Sequence, residues 1–221
     1  MTRMEFDAFI FDLDGTLLDT LPDLTNLTNV VLEERGMPTH TADEVNSYVG
    51  SGARMLIKRA VPEGTSEEDI DAIMARWKEL YPTHGHAYTR PYDGMTETLD
   101  LLKEQGIKLG VLSNKFDAAT RSVIEEHFPG MFDLVWGESP STPRKPDPTG
   151  LLNMMAELGI DAQRCAYVGD SGSDMTVALN AGAVPIGVTW GYRSAEVLLE
   201  HGARALVSES YDLLHVCVQS D

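Results

Sequence analysis

Residues 6–16 of the chain read FDAFIFDLDGT. The apolar run 6–11 is short, rich in aromatic side chains and followed by a turn signal, so we predict a buried β-strand there. Side chains two residues apart on a strand point the same way, and Asp12 and Asp14 should therefore converge beyond its carboxyl end. Open α/β sheets bind ligands at that edge. Two carboxylates there can hold a hard cation, or one can attack a substrate while the other handles protons. For this motif alone, a solvated acidic turn is the alternative.

The rest of the chain alternates between strand and helix patterns. Apolar runs without strict alternation predict strands that are buried on both faces, as in a parallel sheet. Five more such runs lie at 107–113, 132–136, 165–169, 184–189 and 205–208. Helical periodicity stops at a glycine after 95–105, 151–158, 175–181 and 194–201. Because glycine takes the left-handed conformation at little cost, it marks helix ends. These repeated units predict an α/β fold with a doubly wound, mostly parallel sheet.

The stretch 20–90 has a different pattern. Thr41 and Glu44 form a capping-box pair, and the apolar residues of 70–81 keep helical spacing. No convincing strand interrupts these helices. We therefore predict an α/β core at 1–19 and 91–221, and an all-helical insert at 20–90.

Composition and charge exclude several classes of protein. No apolar run approaches the roughly 20 residues that cross a membrane. Acidic residues outnumber basic ones by 35 to 17, and the net charge of −18 repels nucleic-acid phosphates and anionic lipids. No basic region followed by an apolar stretch is visible at the start, so we expect a cytoplasmic location. Two cysteines are too few for a disulfide framework, and Cys165 is expected to be a buried, unreactive thiol.

Two further motifs carry groups suited to phosphate. Ser113 and Asn114 end a predicted strand and can donate hydrogen bonds to phosphate oxygens without adding negative charge, although a helix cap is an equal alternative. Lys145 lies in the sequence RKPDP at 144–148, where two prolines fix the backbone. A fixed ammonium can neutralise a transferred phosphoryl group, whereas a solvated basic residue is the alternative.

The last motif, VGDSGSD at 168–174, places Asp170 at a strand end and Asp174 near the start of a helix, where the dipole favours a carboxylate. In chain order the four motifs read DxDGT, SN, KPxP and GDSxxD. Together they resemble the haloacid dehalogenase-like superfamily of phosphatases over essentially the whole chain. The resemblance implies a Rossmann-like core and makes the insert 20–90 a small helical cap.

The resemblance also implies a chemistry. Asp12 would be the nucleophile that forms an aspartyl-phosphate. Asp14 would protonate the leaving oxygen and then activate water. Mg²⁺ would be the cofactor, bound by Asp12 and Asp170, with Asp174 nearby or acting through water and the backbone carbonyl of Asp14 also reaching the metal. Lys145 would neutralise the phosphoryl group and orient Asp12.

Five residues are candidates for binding the substrate or its phosphate: Thr16, Arg54, Ser113, Asn114 and Lys115. By resemblance, Ser113 and Asn114 would hold the phosphoryl group, and Thr16 would shape the turn before the cap. Arg54 follows a glycine-rich cap sequence and could bind a substrate carboxylate bidentately, with a solvated helix residue as the alternative. Lys115 could contact the substrate beside Asn114, and a lysine without a substrate contact is an equal alternative.

The overall pattern is similar to phosphoglycolate phosphatases, which implies a small phosphorylated metabolite as the substrate, 2-phosphoglycolate first. The alternatives are a phosphatase for pyrophosphate, a sugar phosphate or a nucleotide, a phosphomutase like β-phosphoglucomutase, and a binding module without activity. The acid at Asp14 favours phosphoryl chemistry over dehalogenation, because the true dehalogenases lack it. The carboxylate set with Lys145 argues against a mere binding module, since such a cluster is costly without a metal.

Overall fold

The chain divides into two compact units. The computed structural model describes residues 2–3 and 5–218, with side-chain burial for 5–216. One unit combines Met1–Leu18 with Pro91–Asp221, and the other is Asp19–Arg90. The four sequence motifs all belong to the first unit.

A six-stranded parallel sheet forms the centre of the first unit. The ten described strands are β1 Thr2–Arg3, β2 Ala8–Phe11, β3 Leu18–Asp19, β4 Arg90–Pro91, β5 Lys108–Phe116, β6 Leu134–Glu138, β7 Cys165–Gly169, β8 Val184–Val188, β9 Ala205–Val207 and β10 Cys217–Val218. The sheet order is β6-β5-β2-β7-β8-β9, and every neighbouring pair in it is parallel. The predicted parallel α/β sheet is therefore confirmed.

Strand β5 extends further than the sequence analysis predicts. It continues to Phe116, past the expected end at Ser113. Its pairing with β6 changes register between Leu112 and Phe116. This irregularity lies where the second motif begins, and irregular pairing of this kind can re-aim side chains next to an active site.

Both faces of the sheet are buried. Alternate residues of β2 pack into different clusters, Phe9 and Phe11 on one side and Ala8 and Ile10 on the other. This is why the run lacks polar residues at every second position. Cys165 on β7 is fully buried, and burial raises its pKa to about 12. The predicted burial of this thiol is confirmed, and its lack of reactivity stays a prediction.

Helices cover the sheet. They are α5 Met95–Glu104, α6 Asp117–His127, α7 Thr149–Leu158, α8 Gly172–Ala181 and α9 Ala195–Glu200. The sequence analysis predicts four of these five and misses α6. The buried side of α6 includes the polar Thr120 and only two large apolar residues, Val123 and Ile124, so its apolar stripe is weak.

The second unit is built from helices. They are α1 Leu21–Glu33, α2 Ala42–Tyr48, α3 Ala53–Ala60 and α4 Glu67–His84. The predicted capping box of Thr41 and Glu44 begins α2. At the ends of this unit, the buried Asp23 carboxylate accepts hydrogen bonds from the backbone amides of Tyr88 and Thr89, at 2.9 and 2.6 Å.

The charged helix α4 is the longest of the described helices, at 18 residues. It begins with the acidic residues Glu67, Glu68 and Asp69. Across the described residues, no helix combines the length and the apolar character that a membrane span needs. The cytoplasmic location stays a prediction.

Candidate active site

Three adjacent parallel strands bring the sequence motifs to one edge of the sheet. Strands β5, β2 and β7 lie side by side. Asp12 directly follows β2, and Asp170 directly follows β7. The backbone amide of Asp12 donates to the carbonyl of Val168 at 2.9 Å, which fixes the first motif against the fourth. Ser113 lies near the carboxyl end of β5, so the edge at which open α/β sheets bind ligands holds all three residues.

Lys145 is a buried cation at this edge. Its ammonium nitrogen lies 2.8 Å from Asp12 Oδ1 and 2.7 Å from Asp174 Oδ1. Burial alone lowers the pKa of Lys145, but the carboxylates of Asp12 and Asp174 outweigh it and hold that pKa well above its ordinary value. Lys145 therefore stays charged against Asp12.

Asp12, Asp170 and Asp174 form a compact acidic cluster. One carboxylate oxygen from each lies within 4.8 Å of the others, and Asp170 and Asp174 are fully buried or nearly so. Burial, opposed by Lys145 and reinforced by Asp174, raises the pKa of Asp12 to about 6. Burial and repulsion from Asp174 and Asp12 raise the pKa of Asp170 to about 8.

This cluster fits a hard divalent cation. Its three carboxylates face the single ammonium of Lys145, and the raised pKa values show that the remaining negative charge is costly. A set of oxygen ligands suits Mg²⁺ better than softer metals. The two oxygens of Asp174 already bind Lys145 and Ser171. Asp170 also has a partner on each oxygen, the hydroxyl of Thr16 and the backbone amide of Tyr192. These bonds do not rank the carboxylates, and direct ligation by Asp12 and Asp170 stays a prediction.

Asp14 is paired with a different lysine. The ammonium nitrogen of Lys115 lies 3.0 Å from Asp14 Oδ1 and 3.4 Å from Oδ2, and the Lys115 side chain is only 4% exposed. The acidic cluster found among the described residues does not include the Asp14 carboxylate. The two aspartates of the first motif therefore have different electrostatic surroundings.

Asn114 holds the backbone of Lys145 in place. Its Oδ1 accepts from the Lys145 amide at 2.7 Å, and its Nδ2 donates to the Lys145 carbonyl at 3.3 Å. These bonds give the Asn114 side chain a positioning role, and its phosphate contact stays a prediction. Ser113 Oγ accepts from the backbone amide of Lys115 at 3.3 Å, so its hydroxyl can still donate to a phosphate oxygen.

The two other candidate substrate residues also have partners within their own units. Thr16 is fully buried, and its hydroxyl donates to Asp170 Oδ1 at 3.4 Å. Arg54, on α3 of the helical unit, donates to Glu67 and Asp71 at 2.6 and 2.9 Å. Exposed ion pairs of this kind are individually weak, and the substrate contact of Arg54 stays a prediction.

Comparison with known proteins identifies the family. A sequence profile for haloacid dehalogenase-like hydrolases matches residues 9–188, a stretch that contains the acidic cluster and both buried lysines. The chain belongs to the haloacid dehalogenase-like hydrolase family. The resemblance predicted from the four motifs is confirmed.

Individual relatives of this hydrolase match it over most of their length. Phosphoglycolate phosphatase 1 of Pseudomonas aeruginosa is 33% identical, and the match covers 93% of this chain and 77% of the relative. A phosphoglycolate phosphatase of Neisseria meningitidis is 35% identical, and the match covers 89% of this chain and 86% of the relative. Among solved structures, a phosphoglycolate phosphatase candidate from Lactobacillus delbrueckii superposes with a TM-score of 0.88 at 32% identity, covering 95% of this chain and 97% of that one.

The structure adds Tyr167 to the hydrolase site. Its hydroxyl accepts from Lys145 Nζ at 2.9 Å and donates to the Leu112 carbonyl at 2.7 Å. The sequence analysis does not single it out, because it lies in an apolar strand. A signal was nevertheless present, since a tyrosine in a fully buried strand needs a partner for its hydroxyl.

Mg²⁺ affinity of this hydrolase should rise with pH. In the metal-free protein Asp12 and Asp170 hold protons up to about pH 6 and about pH 8 respectively, and metal binding must displace them. Between these values, we expect the association constant to increase about tenfold per pH unit, because roughly one proton is released. Isothermal titration calorimetry across this range measures the effect.

The same pKa shifts determine how the folding stability of the metal-free protein changes with pH. Both folded-state pKa values lie above the ordinary aspartate value of 3.8. The metal-free protein therefore loses stability as pH rises from about 4 to about 8, and most steeply below about 6, where both groups contribute. Added Mg²⁺ should restore it, as a higher unfolding temperature. Asp170→Asn should flatten the upper part of the stability profile. A Mg²⁺ affinity that is independent of pH would contradict this assignment.

Proposed function

We propose that this phosphatase hydrolyses small phosphomonoesters whose leaving group carries negative charge, with 2-phosphoglycolate as the first candidate. The reaction would use Mg²⁺ and pass through an aspartyl-phosphate on Asp12. The observation that carries the proposal is the separate pairing of the two neighbouring aspartates: Asp12 with Lys145 at 2.8 Å, and Asp14 with Lys115 at 3.0 Å. Asp12 is thereby held beside a fixed cation within the acidic cluster, and Asp14 lies outside that cluster, where it can act on the leaving group.

In the first proposed step, a carboxylate oxygen of Asp12 attacks phosphorus while the bond from phosphorus to the ester oxygen breaks. Asp14 in its acid form donates a proton to that ester oxygen. Lys145, beside Asp12, offsets the negative charge that gathers on the transferred group. Mg²⁺ bound by Asp12 and Asp170 would supply further neutralisation of the phosphoryl oxygens.

In the second step, water attacks the phosphorus of the aspartyl-phosphate. Asp14, now a carboxylate, accepts the proton of that water. The bond between phosphorus and the Asp12 oxygen breaks, which restores the free carboxylate and releases inorganic phosphate. One water is consumed for each phosphate and each alcohol released, so the cycle is balanced.

Lys115 supports a substrate with a charged leaving group. Because Asp14 protonates the leaving oxygen in this mechanism, an ammonium 3.0 Å from Asp14 lies beside the leaving group. A single methylene separates the carboxylate of 2-phosphoglycolate from its ester oxygen, which brings that carboxylate within reach of Lys115. A protein with a net charge of −18 needs such local cations to attract an anion. The names of the Pseudomonas and Neisseria relatives support the same substrate.

The substrate proposal can be tested by phosphate release from a panel. The panel contains 2-phosphoglycolate, pyrophosphate, sugar phosphates and mononucleotides, each with and without Mg²⁺. We expect the highest kcat/KM for 2-phosphoglycolate and no turnover after the metal is chelated. A preference for pyrophosphate or nucleotides would overturn the proposed substrate. A phosphorylated sugar isomer without free phosphate would indicate a phosphomutase instead.

Replacing Lys115 with methionine should remove the preference for a charged leaving group. We expect the ratio of kcat/KM for 2-phosphoglycolate to that for ethyl phosphate, whose leaving group is neutral, to fall about tenfold or more. A role for Lys115 only in holding Asp14 would lower both values equally and leave the ratio unchanged. Steady-state kinetics with the two substrates therefore separate the two roles.

Lys108→Met is the matched control for this variant. Lys108 begins the same strand, β5, and pairs with Asp133 at 3.1 Å. It lies at the opposite end of the strand from the acidic motifs. We expect the Lys108 variant to keep both the activity and the substrate ratio of the parent. An unchanged ratio in Lys115→Met would argue against leaving-group recognition by this lysine.

The helical unit Asp19–Arg90 is proposed to act as the cap. It is inserted directly after the DxDGT motif, and the chain re-enters the α/β unit at Pro91. Asp23 supports this role, because its bonds to Tyr88 and Thr89 tie the two ends of the insert together. An insert with tied ends can move as one body and exclude water during phosphoryl transfer.

A further inference from the structure

The loop after β8 approaches the acidic cluster closely. The backbone amide of Tyr192 donates to Asp170 Oδ2 at 2.8 Å. Two residues earlier, the indole Nε1 of Trp190 donates to the backbone carbonyl of Thr16 at 3.0 Å. The loop at 190–192 therefore touches both a carboxylate of the cluster and the turn of the DxDGT motif.

Gly191, between these two residues, has no room for a side chain. A Cβ built there would lie 2.3 Å from the Asp170 Cβ and 2.4 Å from the Gly15 carbonyl oxygen. Real Cβ atoms essentially never come within 3.0 Å of such neighbours. The requirement for glycine is steric, and any substitution must displace either Asp170 or the Gly15 turn.

The Asp170 carboxylate is packed from the other side by Gly15. A Cβ at Gly15 would lie 2.4 Å from Asp170 Oδ2. The hydroxyl of Thr16 donates to the other oxygen, Oδ1, at 3.4 Å. Two glycines and two hydrogen-bond donors thus fix the position and rotation of this one carboxylate.

We propose that Trp190, Gly191 and Tyr192 form a positioning loop that orients the Asp170 carboxylate for the divalent cation. This inference rests on the metal site of the proposed function and adds residues that contact neither substrate nor metal. Groups that hold a ligand carboxylate in place raise metal affinity because the ligand is oriented before binding. The loop also anchors the turn that carries Asp14, through the bond from Trp190 to Thr16.

Mg²⁺ titration of Gly191→Ala by isothermal calorimetry tests this proposal without relying on turnover. We expect the dissociation constant to rise about 10- to 100-fold, as for other groups that support metal ligands. At saturating Mg²⁺ the kcat should recover in part, since Asp12, Asp14 and Lys145 are untouched. Affinity equal to that of the parent protein would overturn the proposal.

Gly150→Ala is the matched control. A Cβ built at Gly150 would also be crowded, at 3.0 Å from side-chain atoms of Leu112 and of Thr142, but its three nearest atoms belong to neither the acidic cluster nor the DxDGT turn. It should bind Mg²⁺ normally. Should Gly191→Ala fail to fold, Trp190→Phe removes one hydrogen bond, keeps an aromatic side chain and should weaken Mg²⁺ binding to a smaller extent. Normal binding by Trp190→Phe would then overturn the proposal.

Asp170→Asn distinguishes failure of the positioning-loop proposal from failure of the proposed metal site. Loss of Mg²⁺ binding in Asp170→Asn with normal binding in Gly191→Ala would refute the positioning loop alone. Normal binding in Asp170→Asn would refute the metal site itself. We expect loss of Mg²⁺ binding in Asp170→Asn, weakened binding in Gly191→Ala and normal binding in Gly150→Ala.

Discussion

Asp12→Asn is expected to lower kcat for 2-phosphoglycolate by at least about 10⁴-fold, as removal of a catalytic nucleophile does in other hydrolases. An amide cannot form the acyl-phosphate bond, and Lys145 then faces a neutral group. The protein should still fold. Burial already makes the charged form of Asp12 costly, with its pKa raised to about 6, so the unfolding temperature should not fall.

Asp7→Asn is the matched control for the nucleophile variant. Asp7 lies just before the same strand and pairs with Arg164 at the surface. We expect activity close to that of the parent, measured as phosphate release under identical conditions. Residual activity of Asp12→Asn within tenfold of the parent would show that Asp12 is not the nucleophile.

Asp14→Asn should lower turnover of 2-phosphoglycolate by about 10²- to 10⁴-fold, the usual contribution of a general acid and base. Binding of inorganic phosphate, measured as product inhibition, should change little, because Lys145 and Ser113 remain. The defect should depend on the leaving group. p-Nitrophenolate leaves without a proton, so p-nitrophenyl phosphate should still phosphorylate Asp12.

Stopped-flow absorbance gives the diagnostic signal for this variant. With p-nitrophenyl phosphate, Asp14→Asn should release a rapid burst of p-nitrophenolate close to the enzyme concentration, followed by slow turnover. The slow phase follows because the asparagine cannot take the proton from the attacking water. Turnover equal to the parent on 2-phosphoglycolate would remove Asp14 from the mechanism.

Local patterns were sufficient to predict the framework of the site. The run at 6–11 contains apolar side chains that suit both faces of a buried strand, and the turn-forming sequence DLDG follows it. Asp12 was therefore expected at the end of a strand. The glycines after four helices likewise marked where those helices end. These signals depend on the backbone preferences of neighbouring residues, which the sequence displays directly.

The contacts that orient the functional groups could not be predicted in this way. Asn114 binds the backbone of Lys145, 31 positions away, and Asp170 binds the amide of Tyr192, 22 positions away. Lys115 meets Asp14 across 101 positions. Such pairs depend on strand order and on the course of loops, neither of which is encoded in local periodicity. Helix α6 was not predicted for a related reason. It has few apolar residues on its buried face, and it is stabilised by packing against the sheet rather than by a local pattern.

A single-turnover experiment with ³²P-labelled 2-phosphoglycolate and Mg²⁺ tests whether the phosphoryl group passes through Asp12. The reaction is quenched in acid within the first turnover, and the protein is digested and analysed by mass spectrometry. We expect the label, transiently, on the peptide that contains Asp12, and none in Asp12→Asn. Rapid release of labelled phosphate with no labelled peptide at any time, or label on another residue, would contradict the aspartyl-phosphate mechanism.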